Sequence, residues 1–216
     1  MKRQIHTLVT PALALAAMVI ATPVFAGPPL LCHPFEIGHA RSLPWDGGGG
    51  WSDAKSDYKI DRVIADTEAL LTSSTPVLVR METLRRASLY ASTNAQVAKQ
   101  LLSRLVARAD ASEAAGRPDA LAFLDAAYVT EAYREIAMIP EFARRAEGVR
   151  AAIGSADGYA LISRSIAARP DDPAIQFAAA LIAADKNQAR YAGHATKARA
   201  GAATDPLLAK NLKLVQ

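Results

Sequence analysis

The sequence predicts an all-α protein, an antiparallel helical array preceded by an extended Pro/Gly-rich N-terminal arm. Three observations carry that prediction. From about Asp53 onward, apolar residues recur with a period near 3.6. The composition leans on alanine and other helix formers, while aromatic residues supply only 6% of the chain. The breaks between periodic segments are short and marked by proline, glycine or a capping side chain. Many short amphipathic helices joined in this way pack as antiparallel neighbours.

Residues 1–26 read as a signal peptide. Lys2 and Arg3 supply a positive start, Leu13 to Ile20 form an apolar run, and Val24-Phe25-Ala26 offers the small-residue pattern of a cleavage site. The expected location is therefore periplasmic or secreted. Lipid attachment at Cys32 is not expected, because bulky Leu31 stands where a lipobox needs a small residue. No later apolar segment approaches the roughly 20 residues that a membrane helix requires.

Residues 27–52 form the arm and a glycine linker. Pro28, Pro29, Pro34 and Pro44 remove backbone donors and restrict their neighbours, and Gly47 to Gly50 loses much entropy on ordering. Leu30, Leu31, Phe35, Ile37 and Trp45 give this arm an apolar side that can dock on a helical body. Asp46-Gly47-Gly48-Gly49-Gly50-Trp51-Ser52 lacks the strand and the Gly-Lys-Ser/Thr of a phosphate loop and reads as linker.

The helical domain is placed at residues 53–216. Ile60, Val63, Ile64, Thr67 and Leu71 line the first stripe, and Thr75-Pro76 predicts the start of a second helix, faced by Val77, Met81, Leu84, Ala87 and Ala91. Thr93 or Asn94 caps a third, with Ala98, Leu101, Leu102, Leu105 and Ala109 inward and Gly116 at its stop. A fourth runs from Arg117-Pro118 to before Pro140, along Leu121, Leu124, Tyr128, Ala132 and Ile136. Phe142, Ala146, Val149 and Ile153 mark a fifth, and Tyr159, Ile162 and Ile166 a sixth. Asp172-Pro173 opens a seventh, an eighth spans about Gln188 to Ala200, and Asp205-Pro206 opens a ninth. No strand is predicted.

Asp172-Pro173 recurs as Asp205-Pro206, bracketing two helices and a break near Lys186-Asn187. Helix-pair repeats have about this period, roughly 34 residues. Pro170 sits where a repeat's closing proline belongs, and Ala180 and Ala192 occupy positions where small residues let paired helices approach. On these residues the segment resembles a tetratricopeptide repeat, with Arg199, Thr204, Gln176 and Ala183 departing from its pattern. Through GPPLLCHPFEIGHARSLPW, METLRRA and ALAFLDAAYVTEAYRE the chain also resembles a group of exported bacterial proteins of unknown function. The repeat resemblance implies a tetratricopeptide-like α-α superhelix with a concave binding face and no built-in catalytic apparatus. The function expected from it is an exported, non-enzymatic interaction module for a peptide or protein partner.

Charge narrows the partners. Without Lys2 and Arg3 the 25 basic residues fall to 23, against 21 acidic ones, and this near balance argues against nucleic acid. Glu82, Arg85 and Arg86 have helix-surface ion-pair spacing and, if they lined a groove, would suit a peptide carboxylate. Asp125, Tyr128 and Glu135 share one face of the fourth helix, with Glu131 nearby. These six, Glu82, Arg85, Arg86, Asp125, Tyr128 and Glu135, are the candidate partner-binding residues. Read instead as ordinary helix surface, the acids would pair with Arg134, Arg144 and Arg145, and an acid-base enzyme built on them ranks last.

The arm holds the other candidate. Cys32, His33 and His39 offer a thiolate and two imidazoles, a donor set that suits copper or zinc. No CxxC or HxxxH pair supports it, so a buried thiol with exposed imidazoles is the competing reading and no cofactor is otherwise expected. The single cysteine forms no internal disulfide. A catalytic Cys32 would need a base from afar, such as His194. The alternative function is accordingly a metal- or redox-linked periplasmic protein using the arm.

Overall fold

A computed structural model describes residues 27–46, 50–184 and 186–216. The expected signal peptide and most of the glycine linker lie outside these residues. The described residues are all-α, with no strand. Helices α1 (Val63–Leu70), α2 (Val77–Ala91), α3 (Ala95–Ala114), α4 (Ala120–Ile136) and α5 (Ala143–Ile153) are followed by α6 (Gly158–Ala168), α7 (Pro173–Ala183), α8 (Gln188–Gly201) and α9 (Pro206–Asn211).

Local chemistry sets the boundaries. Asn94, Asp157, Asp172 and Asp205 each stand in extended backbone before a helix, where the side-chain oxygen accepts the first free N–H groups. Pro173 and Pro206 follow two of these caps at the first helical position. Gly116 and Gly154 end α3 and α5 with φ of 67° and 54°, a backbone region that side chains with a Cβ disfavour.

Two starts differ from expectation. α2 opens at Val77 because Pro76 has an extended ψ of 149° and itself occupies the cap position. The Thr75 hydroxyl turns back to the Leu70 carbonyl, at 2.7 Å. Pro118 precedes α4 without joining it, and Asp119 supplies the cap through the N–H of Leu121.

The core is built on three helices buried almost all round. Only Arg86 of α2, Arg134 of α4 and Pro173 of α7 escape burial. α4 packs against α2, α3, α5, α6 and α7, so it is the axis of the domain. α3 and α5 lie together on one side, and α7 pairs with α8. In an open repeat each unit touches only its sequence neighbours. Here α7 also reaches α2, so the packing is not limited to sequence neighbours.

The segment that suggested a repeat folds as the helix pair α7 and α8. Ala180 is buried in the pair as the repeat register requires, but Ala192 is exposed; Tyr191, Ala195 and Ala198 make the contact instead. The face of α8 is therefore rotated relative to that register. The arm completes the core: Leu30, Leu31, Phe35, Ile37 and Leu43 are buried in the same apolar cluster as the helices. Burying each such side chain contributes about 1.5–3 kcal/mol.

Candidate functional site

The inner face of α2, α4 and α7 forms a groove, and residues 30–46 occupy it, with Trp51 at its end. On α2, Glu82, Arg85 and Arg86 fall on one side because three- and four-residue spacings bring side chains together. Tyr128 and Glu135 are two turns apart on α4 and point the same way. Their polar atoms are directed at main-chain groups of the arm.

Leu30 is held through both of its main-chain polar groups. Its N–H donates to the two Glu135 carboxylate oxygens at 3.1 Å each, and its carbonyl accepts the Tyr128 hydroxyl at 2.6 Å. Glu82 accepts the N–H of Phe35 at 3.0 Å while gripping Arg85 through two bonds of 2.8 and 2.9 Å and Arg86 at 2.6 Å. The arginines extend the grip. Arg85 donates to the carbonyls of Leu31 at 3.3 Å and Trp51 at 2.6 Å, and Arg86 to that of Leu43 at 2.6 Å. Tyr90 continues the line, donating to the Pro44 carbonyl and accepting the N–H of Lys55.

Side chains fill the spaces between. The Phe35 ring meets Tyr128 and Phe177 edge-on, with centroids 6.3 and 6.2 Å apart. The guanidiniums of Arg85 and Arg86 lie over Trp45 at 4.9 and 5.8 Å. At the far end Asn211 closes a two-way amide pair with the N–H and carbonyl of Glu36, at 2.9 and 3.0 Å.

Burial overturns the surface reading of these charges. Glu82 and Arg85 are both 0% exposed, so their ion pair is a core element. The helix spacing was legible, but the arm that covers the pair was not. Of the acids of α4, Glu131 takes the expected Arg134, while Asp125 chooses partners that were not expected. Asp125 takes Arg80 through two bonds of 2.8 and 2.5 Å and Arg108 through a third, away from the arm. Burial pushes its carboxyl upward, against the pull of both arginines. Glu131 holds Arg134, Lys186 and the N–H of Gly158. Of the six candidate partner-binding residues, the structure gathers Glu82, Arg85, Arg86, Tyr128 and Glu135 on the arm and leaves Asp125 apart.

Cys32, His33 and His39 are not gathered. Cys32 and His33 are partly buried while His39 is exposed, and among the described residues no three His, Cys, Asp or Glu side chains are placed to hold a metal ion. Burial, reinforced by the charge of Glu135, pushes the Cys32 thiol up to about 11, and burial pulls His33 below its ordinary range. A thiol held in that state is a poor nucleophile at neutral pH.

His194 does not approach the arm's cysteine; it joins α8 to α6 and α7. Its Nε2 lies 3.0 Å from the Tyr159 hydroxyl and its Nδ1 2.7 Å from Gln176 Oε1. Gln176 donates its amide to the Pro170 carbonyl, so its Oε1 accepts from Nδ1–H and Nε2 accepts from Tyr159. Sequence reasoning missed this triad and the roles of Leu43 and Asn211. Their partners lie on other elements, and only the capping and spacing rules have a local signal. No protein-family model matches this chain, and neither curated proteins nor solved structures provide a match.

Proposed function

We propose that the chain is an exported, non-enzymatic interaction module whose groove takes an extended peptide segment carrying apolar side chains. One observation carries the reading. The hydrogen bonds that Glu82, Arg85, Arg86, Tyr128 and Glu135 make to the arm go to its N–H and carbonyl groups. Main-chain groups are common to every peptide, so such a lining supplies affinity for extended backbone. The apolar seats of Leu30, Leu31 and Phe35 supply selectivity.

The arm is the groove's occupant in cis, and a partner segment of similar pattern competes with it. Tethering gives the arm a high effective concentration, so a free segment binds measurably only where the arm is weakened.

The test uses a fluorescent peptide with the sequence of residues 29–45, Cys32 replaced by serine, titrated into the chain bearing Leu31→Ala and Phe35→Ala. Saturable binding that is lost on adding Glu82→Gln is the expected result. No saturable binding to a chain that keeps its helical circular dichroism would sink the reading.

A further inference from the structure

A cleft of about 570 Å³ opens between α5 and the turn that joins α2 to α3. Gly148 sets its floor. A Cβ there would come within 2.8 Å of the Ala95 side chain, so only glycine lets α5 approach the start of α3 this closely. The N-terminal end of α3 faces the same space through Ala95.

Arg145 projects into this cleft and is held by neutral groups only. Its Nη1 donates to the Leu89 carbonyl at 3.4 Å and to the Ser92 hydroxyl at 3.1 Å, and the guanidinium lies 4.2 Å over the Phe142 ring. Every other buried or partly buried arginine among the described residues faces a carboxylate. Arg80 and Arg108 have Asp125, Arg85 and Arg86 have Glu82, Arg134 has Glu131, and Arg164 has Glu113. No carboxylate of the described residues lies within ion-pair distance of Arg145. Burial with no offsetting acid pulls its pKa below the usual arginine value. A partly desolvated cation held in one place by neutral acceptors is a charge awaiting its counterion.

We propose that this cleft is a binding site for a carboxylate-bearing ligand, with Arg145 as the fixed receptor and Arg144 as a second cation at the mouth. Arg144 is exposed, lines the same cleft and forms no ion pair among the described residues. Glu147 is the acid in the lining, so Arg144, Arg145 and Glu147 together leave one net positive charge. That balance matches a monoanionic carboxylate better than a phosphate dianion. The planar guanidinium fork fits a carboxylate through two parallel bonds. A carboxylate alone fills little of the volume, so the ligand carries it on a larger body. A small organic acid and a peptide terminus both satisfy that chemistry.

Calorimetric titration of the full chain decides it, with acetyl-trialanine as free acid, the same tripeptide as its amide, and benzoate. The free acid, benzoate or both bind, and the free acid binds at least about tenfold more tightly than the amide if a peptide terminus is the source. Tight benzoate with no acid-over-amide preference assigns the site to small organic acids. Arg145→Gln removes carboxylate binding, Arg145→Lys recovers part of it, and Arg144→Gln weakens it. Since Arg144 is exposed, its variant remains folded and keeps the test decisive if Arg145→Gln does not fold. Binding of neither acid overturns the proposal, as does carboxylate binding unchanged in both glutamine variants.

Discussion

Glu82, 0% exposed on α2, accepts the backbone N–H of Phe35 from 47 residues earlier in the chain, at 3.0 Å, while forming ion pairs with both Arg85 and Arg86. One carboxylate thus ties the arm to the helices and pairs with two cations. Removing it strands a buried guanidinium, which costs far more than a surface pair is worth. Glu82→Ala is expected to lose about 3–5 kcal/mol of stability in urea denaturation. In native-state hydrogen exchange, the amide of Phe35 loses its protection before those of α4.

Asp125 makes the same argument without the arm. Its carboxylate receives two bonds from Arg80, which is 1% exposed, and the remaining acceptor for Arg80 is the Thr72 carbonyl, at 2.5 Å. Asp125→Asn keeps the shape and deletes the charge, leaving Arg80 paired only with neutral oxygens. A loss of about 3–5 kcal/mol is expected. Exchange at the arm amides should change no more than global stability dictates, which separates this variant from Glu82→Ala.

These two acids also show what a one-dimensional pattern encodes. α3 is a one-sided helix, and Ala98, Leu101, Leu102, Leu105 and Ala109, the stripe read from its periodicity, are its buried residues. Caps at Asn94, Asp172 and Asp205 are equally local and equally legible. α2 and α4 are covered on every side, and periodicity recovers only one stripe of each. Their other faces, with Glu82, Arg85 and Glu135, read as surface because the covering segment is distant in sequence. The arm's apolar residues announce that it docks; nothing local states where. Arg145 is less legible still, since the property that singles it out is a missing partner.

His194 gives the fold a pH dependence whose sign follows from its bonds. Burial first, then the positive charges of Lys197 and Arg190, pulls its pKa below the ordinary value of 6.5. The groups facing it are the Tyr159 hydroxyl and Gln176 Oε1, and neutral imidazole satisfies both. A lowered folded-state pKa means that the unfolded chain takes up the proton first. The contribution is therefore full above pH 6.5 and is lost as pH falls below it. His33, lowered by its own burial, adds in the same direction. Urea midpoints measured down through this window should fall, and His194→Gln should flatten part of the fall, leaving the share of His33. A midpoint that rises on acidification through the window would contradict the assignment of His194 as neutral.

The last consequence concerns the thiol that the sequence put forward as the place for chemistry. Cys32 lies where burial and the charge of Glu135 hold its pKa at about 11, against an ordinary value of 9.0. Alkylation proceeds through the thiolate, so the folded chain at pH 8 presents about one hundredth of the reactive form that the unfolded chain does. Native alkylation by iodoacetamide should be slower than in urea by about that factor. Glu135→Gln removes one of the three upward influences, leaving burial and the weaker charge of Glu141, while the Arg85 charge, which lowers the thiol, is no longer opposed by Glu135. The variant should alkylate faster than wild type while its Leu30 contact weakens, because an amide oxygen accepts the N–H less strongly than a carboxylate. Native alkylation as fast as in urea would mean that the thiol stands free of the arm's seat, and a variant slower than wild type would reverse the sign assigned to Glu135.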